Sequence, residues 1–312
     1  MIPIDVSHAF FRTFHMNQEA VLVNNKYIAH LLIGQFLGFA KKLGASKQNI
    51  PVLCVDSKPT WRYDYYEQHK HQFPEYDGMT YKGNRVKDPT IPWDNLNEII
   101  NDVLDSLQKY SDFYVVKVDM TEADDVIAVL SKTFKKDEEI WIASSDKDFV
   151  QLQDDRVKIY DPLKKEFKPE LDVKLFKIIH NIIGDTSDNI LAIKPRTKEA
   201  TAVKMLKDLN VLLETNPSMK AKYEFNRNLI DLDCIPTHLS EAIIEEYKKQ
   251  SFNYNVTGLM KMMMKYDLRE HAENIQNFKL TDALIKTTLN QKYIEANKNA
   301  EISRGSLEEF FE

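Results

Sequence analysis

Four short apolar runs punctuate the first half of the chain, with amphipathic stretches between them. Met1–Ile4, Pro51–Val55, Phe113–Val118 and Ile140–Ala143 are nearly free of polar side chains. Lys26–Leu43 carries Ile28, Leu31, Leu32, Phe36 and Phe39 at helical spacing, with Gly44 as its stop. Asn97–Tyr110 repeats that spacing with Ile99, Ile100, Val103, Leu104 and Leu107. After the third run, Thr121 is placed to cap a helix that carries Glu122, Asp124 and Asp125 and buries Val126, Ile127, Leu130 and Phe134. Apolar runs alternating with such helices predict an α/β fold on a parallel sheet. Val157–Tyr160 and Glu166-Phe167 add a small hairpin around Asp161-Pro162.

Two regions depart from this alternation. Residues 57–95 break every regular pattern and are crowded with Trp61, Tyr63, Tyr65, Tyr66, Phe73, Tyr76, Tyr81 and Trp93. A stretch of that length without clear elements is usually functional or disordered, and its aromatic content favours function. Beyond about Asp172 the pattern is mostly helical, clearest at Leu175–Ile183, Lys198–Leu209 and Leu239–Lys249, with Met260–Tyr266 a further helix. From Lys279 a Thr281-capped helix gives way to a polar stretch and a final apolar cluster. The division expected is an α/β unit over 1–172, a helical unit over 173–278, and a helix with a tethered tail over 279–312.

The placement of acids changes the picture most. Asp5 and Asp56 directly follow the first two runs, Glu122, Asp124 and Asp125 lie just past the third, and Asp146 and Asp148 follow the fourth. Asp185 and Asp188 follow the helical Leu175–Ile183. Ligands of parallel α/β sheets bind beyond the carboxyl ends of the strands, so these acids converge on one crevice. Any one of them alone would read as a turn former or helix cap. Three acids within Glu122–Asp125 exceed what capping requires. A calcium loop with Asp146 and Asp148 as its first ligands is excluded, because Val150 and Gln151 stand where a polar ligand and a glycine are needed. With no His or Cys ligand evident beside it, the cluster suits hard divalent cations, Mg²⁺ or Mn²⁺. Paired ions roughly 3.5–4 Å apart activate water and stabilise a leaving oxygen in phosphodiester hydrolysis, so the substrate is expected to carry phosphate.

Charge and composition agree with that reading once the clustering is considered. The chain has 312 residues, 43% hydrophobic and 29% charged, with a formal charge of -6. The charge would argue against nucleic acid, but two divalent ions would remove much of it locally. No apolar run approaches membrane-spanning length, so no membrane partner is expected. The first strand leaves no room for a signal peptide, and Cys54 and Cys234 read as reduced core residues, which together imply a cytoplasmic protein. Lys82, Arg85 and Arg62 are interleaved with the aromatics of 57–95, the mixture that a single-strand groove uses. Lys194, Arg196, Lys198, Lys204 and Lys207 surround a helix–hairpin–helix pattern beside Asp185 and Asp188, where backbone phosphate could be gripped. His69 and His71 flank Lys70 and read as loop residues, not zinc ligands. Phosphate-loop, dinucleotide and serine-hydrolase signatures do not occur.

Taken together, Glu122-Ala-Asp-Asp125, Ser145-Asp-Lys-Asp148, Gly184-Asp-Thr-Ser-Asp-Asn189 and Tyr81-Lys-Gly-Asn-Arg85 resemble the 5′-nuclease (flap endonuclease) family in order and spacing, from Ile4 to about Phe278. The resemblance implies a PIN-like parallel-sheet core and a helical C-terminal region with a helix–hairpin–helix-type motif. It further implies a Mg²⁺-dependent 5′→3′ exonuclease, flap endonuclease and RNase H-type primer remover acting on RNA–DNA or DNA duplexes in phage lagging-strand replication. Asp5, Asp56, Glu122, Asp124 and Asp146 would surround a first metal, and Asp148, Asp185 and Asp188 a second, with Asp125 shared or near the first. Residues 57–95 would form the family's arch, with Lys82 and Arg85 on the scissile phosphate and Tyr81 stacked on the terminal base. The chain departs from the family in its hairpin, where Ile190–Arg196 has no glycine, and in a longer Glu67–Thr80 stretch.

Two other functions compete with this one. A single-domain PIN-type ribonuclease would need neither the arch nor the basic helical region. A DNA-binding scaffold without turnover would be hindered by nine acids facing phosphate. At the end of the chain, Leu307, Phe310 and Phe311 have the spacing of terminal clamp-binding peptides, with Arg304 where many carry Gln. A sliding clamp and a single-strand DNA-binding protein are therefore expected partners.

Overall fold

The computed structural model describes residues 1–282. Strands form where the apolar runs lie: β1 (Ile2–Asp5), β2 (Pro51–Val55), β3 (Tyr114–Lys117) and β4 (Ile140–Ala143), followed by β5 (Val157–Asp161) and β6 (Glu166–Phe167). They make one sheet in the order β3-β2-β1-β4-β5-β6. All neighbours are parallel except β5 and β6, the expected hairpin. Side chains alternate between two cores, which is why these runs are apolar throughout. Ile4, Leu53, Val55 and Val115 face one core, while Val52, Cys54, Val116 and Ile142 face the other. Cys54 and Cys234 are both free thiols.

Helices cover both faces. The first core is closed by α1 (Val6–Met16), α3 (Tyr27–Lys42), α5 (Trp93–Tyr110) and α12 (Val256–Tyr266). A short α2 (Gln18–Val23) links the first two of these. The second core packs beneath α6 (Ala123–Phe134) and α11 (Thr237–Lys248). The sequence pattern does not announce α1 and α2, because α1 starts at Val6 directly after its cap Asp5 with no connecting loop, and α2 is only six residues long. Thr121 does not cap α6. Its hydroxyl donates to Val118 O at 2.8 Å, and Glu122 is the cap, in a reciprocal capping box with Asp125.

The segment over 57–95 is more regular than its sequence indicates. Thr60 accepts from Tyr63 N and starts α4 (Trp61–His69), followed by two 3-10 turns at Lys70–Gln72 and Pro74–Tyr76. The many aromatics of α4 hide its periodicity. Tyr66, Phe73, Tyr76 and Tyr81 form a third core with Phe225, Leu229 and Ile230 of α10 (Pro217–Ile230). Much of the aromatic content of this segment therefore serves packing.

The remainder is helical, with α7 (Val173–Ile183), α8 (Glu199–Met205), α9 (Leu209–Thr215) and α13 (Arg269–Glu273) completing the set. The expected helix over Lys198–Leu209 is divided by a 3-10 turn at Leu206–Asp208. No helix among the described residues is long and apolar enough to cross a membrane. The Thr281-capped helix and Leu307, Phe310 and Phe311 lie outside the described residues.

Candidate metal centre

The sheet's order reverses at β1: β2 and β3 lie on one side, β4 and β5 on the other. The crevice beyond the carboxyl ends at such a reversal is where ligands sit. Asp5 ends β1 and caps α1, accepting from His8 N at 2.9 Å. Asp56 follows β2 and accepts from Ala123 N at 2.7 Å and from the Ser7 hydroxyl. Glu122 and Asp124 stand at the start of α6. Asp146 follows β4 and accepts from Asp148 N at 2.8 Å.

Asp185 and Asp188 reach the same crevice from α7. Gly184 ends that helix at φ 72°, where a Cβ would fall 2.4 Å from Ile190 O, so only glycine permits the turn. Asp185 then caps a 3-10 turn at Thr186–Asp188, accepting from Ser187 N at 2.8 Å and Ser187 Oγ at 2.6 Å. One narrow cleft is lined by Glu122, Asp124, Asp148, Asp185 and Asp188.

Crowding of these acids shows in their protonation. Burial, then the charges of Asp56 and Asp146, pushes Asp5 up to about 7. Asp124 is driven well above the ordinary range by burial and by Asp5, Asp146 and Glu122. Burial, with Asp146 and Asp185, raises Asp148 to about 6 against the pull of His180. Asp185 is held below its usual range: burial opposes this, but His180, Ser187 and Lys147 outweigh it. Glu122 is also lowered, Lys82 and Arg62 overcoming burial. Mutually repelling carboxylates in a poorly solvated crevice are a donor set that fits divalent cations.

Basic side chains partly neutralise the crevice. Lys82 Nζ donates to Glu122 Oε1 at 2.6 Å and lies 3.5 Å from Asp188 Oδ2. Arg85 pairs with Asp188. Lys82 N donates to Asp188 O at 3.1 Å, so backbone as well as side chain binds the Tyr81–Arg85 segment to the acids.

Three expected site residues are placed differently. Asp125 is fully buried and its carboxylate is already engaged, accepting from Glu122 N at 2.9 Å and Trp61 Nε1 at 3.0 Å and pairing with Arg62 at 2.6 Å. It braces the capping box rather than joining the other acids. Arg62, expected on nucleic acid, is only 3% exposed and also donates to Leu229 O at 2.9 Å. Two buried carboxylates demand a buried cation, and Arg62 supplies it. Tyr81, expected to stack on a base, packs beside Tyr66 with its hydroxyl donating to Asp188 Oδ2 at 3.1 Å. Lys194, Arg196 and Lys198 lie on the connection between α7 and α8 and Lys204 lies on α8, and all four are exposed.

The profile of the 5′-3′ exonuclease N-terminal resolvase-like domain matches residues 1–178. The chain belongs to this 5′-3′ exonuclease family. It is accordingly a metal-dependent phosphodiesterase. Ribonuclease H of Enterobacteria phage T4 is 29% identical over 271 residues, covering 78% of this chain and 85% of that protein. DNA polymerase I of Bacillus subtilis is 31% identical over 271 residues, covering 75% of this chain but only 30% of the polymerase. In fold, the nuclease is similar to a bacteriophage T5 flap endonuclease solved as a pseudo-enzyme–product complex with DNA and metal ions. The TM-score is 0.57 at 16% identity, covering 80% of this chain and 99% of that one. A T5 5′-exonuclease structure with bound zinc gives 0.54 at 16% identity, covering 87% and 99%.

One residue of this family member's crevice is not evident from the sequence, where no histidine is expected near the acids. His180 lies between Asp148 and Asp185, 3.5 Å from an oxygen of each. Its signal is a polar residue within the apolar run Leu175–Ile183, shortly before Asp185. Lys147 is equally inconspicuous, and it sits 3.4 Å from Asp185 Oδ2.

Proposed function

We propose that this nuclease is a Mg²⁺-dependent 5′→3′ exonuclease and flap endonuclease, with RNase H-type activity on RNA–DNA duplexes, that removes primers and flaps in phage lagging-strand replication. The observation that supports the reading is a cleft lined by Glu122, Asp124, Asp148, Asp185 and Asp188, with Asp5, Asp56 and Asp146 as charged neighbours and Lys82 and Arg85 paired to its acids. Asp5, Asp56, Glu122, Asp124 and Asp146 would hold one cation, and Asp148, Asp185 and Asp188 a second. Bound there, Mg²⁺ or Mn²⁺ would supply an activated water and stabilisation of the departing oxygen.

The chain's own residues would do the rest. Lys82 and Arg85 offset Glu122 and Asp188 while the crevice lacks other cations, and are freed to pair with the scissile phosphate once it enters. Both belong to an arch over about 57–95, which the Tyr66 and Phe225 packing sets against α10. Lys194, Arg196, Lys198 and Lys204 would follow the duplex backbone from the turn between α7 and α8, as a helix–hairpin–helix-type grip. This division corresponds to a catalytic unit over 1–172 and a duplex-binding unit over 173–278. Leu307, Phe310 and Phe311 would recruit a sliding clamp in the host cytoplasm, where a single-strand DNA-binding protein would share the same substrate.

The direct test is cleavage of a labelled 5′-flap duplex, with RNA or DNA 5′ strands, in the presence and absence of Mg²⁺. Metal-dependent release of products bearing 5′-phosphates is expected. Binding of the flap without cleavage at any metal concentration would refute the reading.

A further inference from the structure

We propose that His180 is a metal ligand, so that the second cation site, with Asp148 and Asp185, is a mixed nitrogen–oxygen site that prefers Mn²⁺ and similar transition ions to Mg²⁺. The inference rests on the proposed metal-dependent nuclease function and specifies one of its two sites.

His180 is held on α7 with its side chain 4% exposed, and Phe176 meets its ring edge-on at 5.4 Å. Nδ1 faces Asp148 Oδ1 at 3.5 Å and Nε2 faces Asp185 Oδ2 at 3.5 Å. Nδ1 and Asp148 Oδ1 are both enclosed, and neither has a hydrogen-bond partner. Two buried, unpartnered atoms that face each other beyond hydrogen-bond length are uncommon and call for an explanation. A cation about 2.1 Å from both would hold them roughly 3–3.5 Å apart, close to the separation found. One ligand atom from each of Asp148, His180 and Asp185 lies within 4.8 Å of the others, so a single ion can draw all three together.

The neighbours of the ring point the same way. Lys147 Nζ lies 3.4 Å from Asp185 Oδ2 and 3.5 Å from His180 Nε2, on a side chain 60% exposed. A cation thus already stands at the mouth of the site and can withdraw into solvent at little cost. Nε2 faces Asp185 Oδ2 and Lys147 Nζ, each at 3.5 Å, so both ring nitrogens look onto this cluster. Imidazole nitrogen suits first-row transition ions, whereas Mg²⁺ takes oxygen donors and keeps its waters. Asp5, Asp56, Glu122 and Asp124 offer oxygen alone, so the two sites would differ in selectivity.

Electron spin-echo spectroscopy of the full chain, with Mn²⁺ added until two ions are bound, tests this directly. Nitrogen-14 coupling to Mn²⁺ is expected in the natural chain, and its loss is expected in His180→Gln but not in His8→Gln, which alters the histidine beside the first group of acids. Calorimetry should show Mn²⁺ affinity at the second site falling roughly tenfold or more in His180→Gln. Mg²⁺ affinity should fall by less than about threefold. No nitrogen coupling in the natural chain at any Mn²⁺ loading overturns the proposal without depending on how the variant folds. Equal losses for the two ions overturn the selectivity. Flap cleavage without nitrogen coupling removes His180 from the site and leaves the nuclease function standing, whereas coupling without cleavage has the opposite meaning.

Discussion

Lys82 reaches Glu122 at 2.6 Å, so its ammonium occupies the place beside an acid that a divalent ion would claim. Burial alone would lower the Lys82 pKa, but Glu122 and Asp188 outweigh it and raise it, so the ammonium stays charged. Lys82→Ala should lower single-turnover flap cleavage by about 10²-fold or more, the scale of a lost electrostatic stabiliser. Metal affinity should be unchanged or higher in the same variant, because a competing cation is gone. Calorimetry with Mg²⁺ checks the second half, and a weakened affinity would contradict the competition.

Asp124→Asn should abolish cleavage, and it should raise the melting temperature of the metal-free protein. The carboxylate is pushed well above its usual range by burial and by three neighbouring acids, so its removal relieves repulsion. Flap-DNA affinity measured without metal should be similar or higher. Near-normal turnover at saturating Mg²⁺ would remove Asp124 from the metal site.

Divalent-metal affinity should rise with pH between about 5.5 and 7.5, the window set by the two raised acids. Asp5, at about 7, and Asp148, at about 6, are largely protonated at the acid end of that window and must lose their protons to bind a cation. Binding near pH 6 should therefore release protons, and affinity should climb by up to about tenfold per pH unit for each proton released. Titrations in buffers of different ionisation enthalpy would count them. Affinity independent of pH in this range would mean that neither acid is a ligand.

Arg62→Ala should cost about 3–5 kcal/mol of stability, because Asp125 would be left as an uncompensated buried charge and Glu122 would keep only Lys82 as its cation. Chemical denaturation measures this. The salt dependence of flap binding, corrected to folded protein, should not change, whereas a role in the groove would reduce its slope.

Replacing Lys194, Arg196 and Lys198 together by Ala should weaken duplex binding and flatten its salt dependence by roughly 0.9 in slope for each phosphate left unpaired. Cleavage at saturating enzyme should persist. An unchanged slope would place the duplex platform elsewhere.

Much of this protein is legible before folding. A strand buried on both faces must be apolar along its whole length, so Pro51–Val55 and Ile140–Ala143 declare themselves. The end of each run also declares where Asp5, Asp56 and Asp146 gather, since strands of a parallel sheet point the same way. Local periodicity is enough for such elements, because each depends on its immediate neighbours in the chain.

Tertiary structure decides how the acids divide and what counters them. Asp124 and Asp125 are adjacent and chemically identical, yet one faces the crevice and the other is turned under Trp61 and Arg62 by its place in the α6 capping box. Arg62 reads from the sequence as a nucleic-acid contact, because the partners that bury it include Leu229 O, 167 residues away. The aromatics of 57–95 have the composition of a stacking surface, and it is Phe225, arriving from α10, that buries several of them. His180 gives only the weak sign of a polar residue in an apolar helix, since Asp148 lies across the fold on the chain that follows β4. Whether a charged or aromatic side chain meets solvent, a ligand or a buried partner depends on what the rest of the chain brings to it, and that information is not carried by spacing along the sequence.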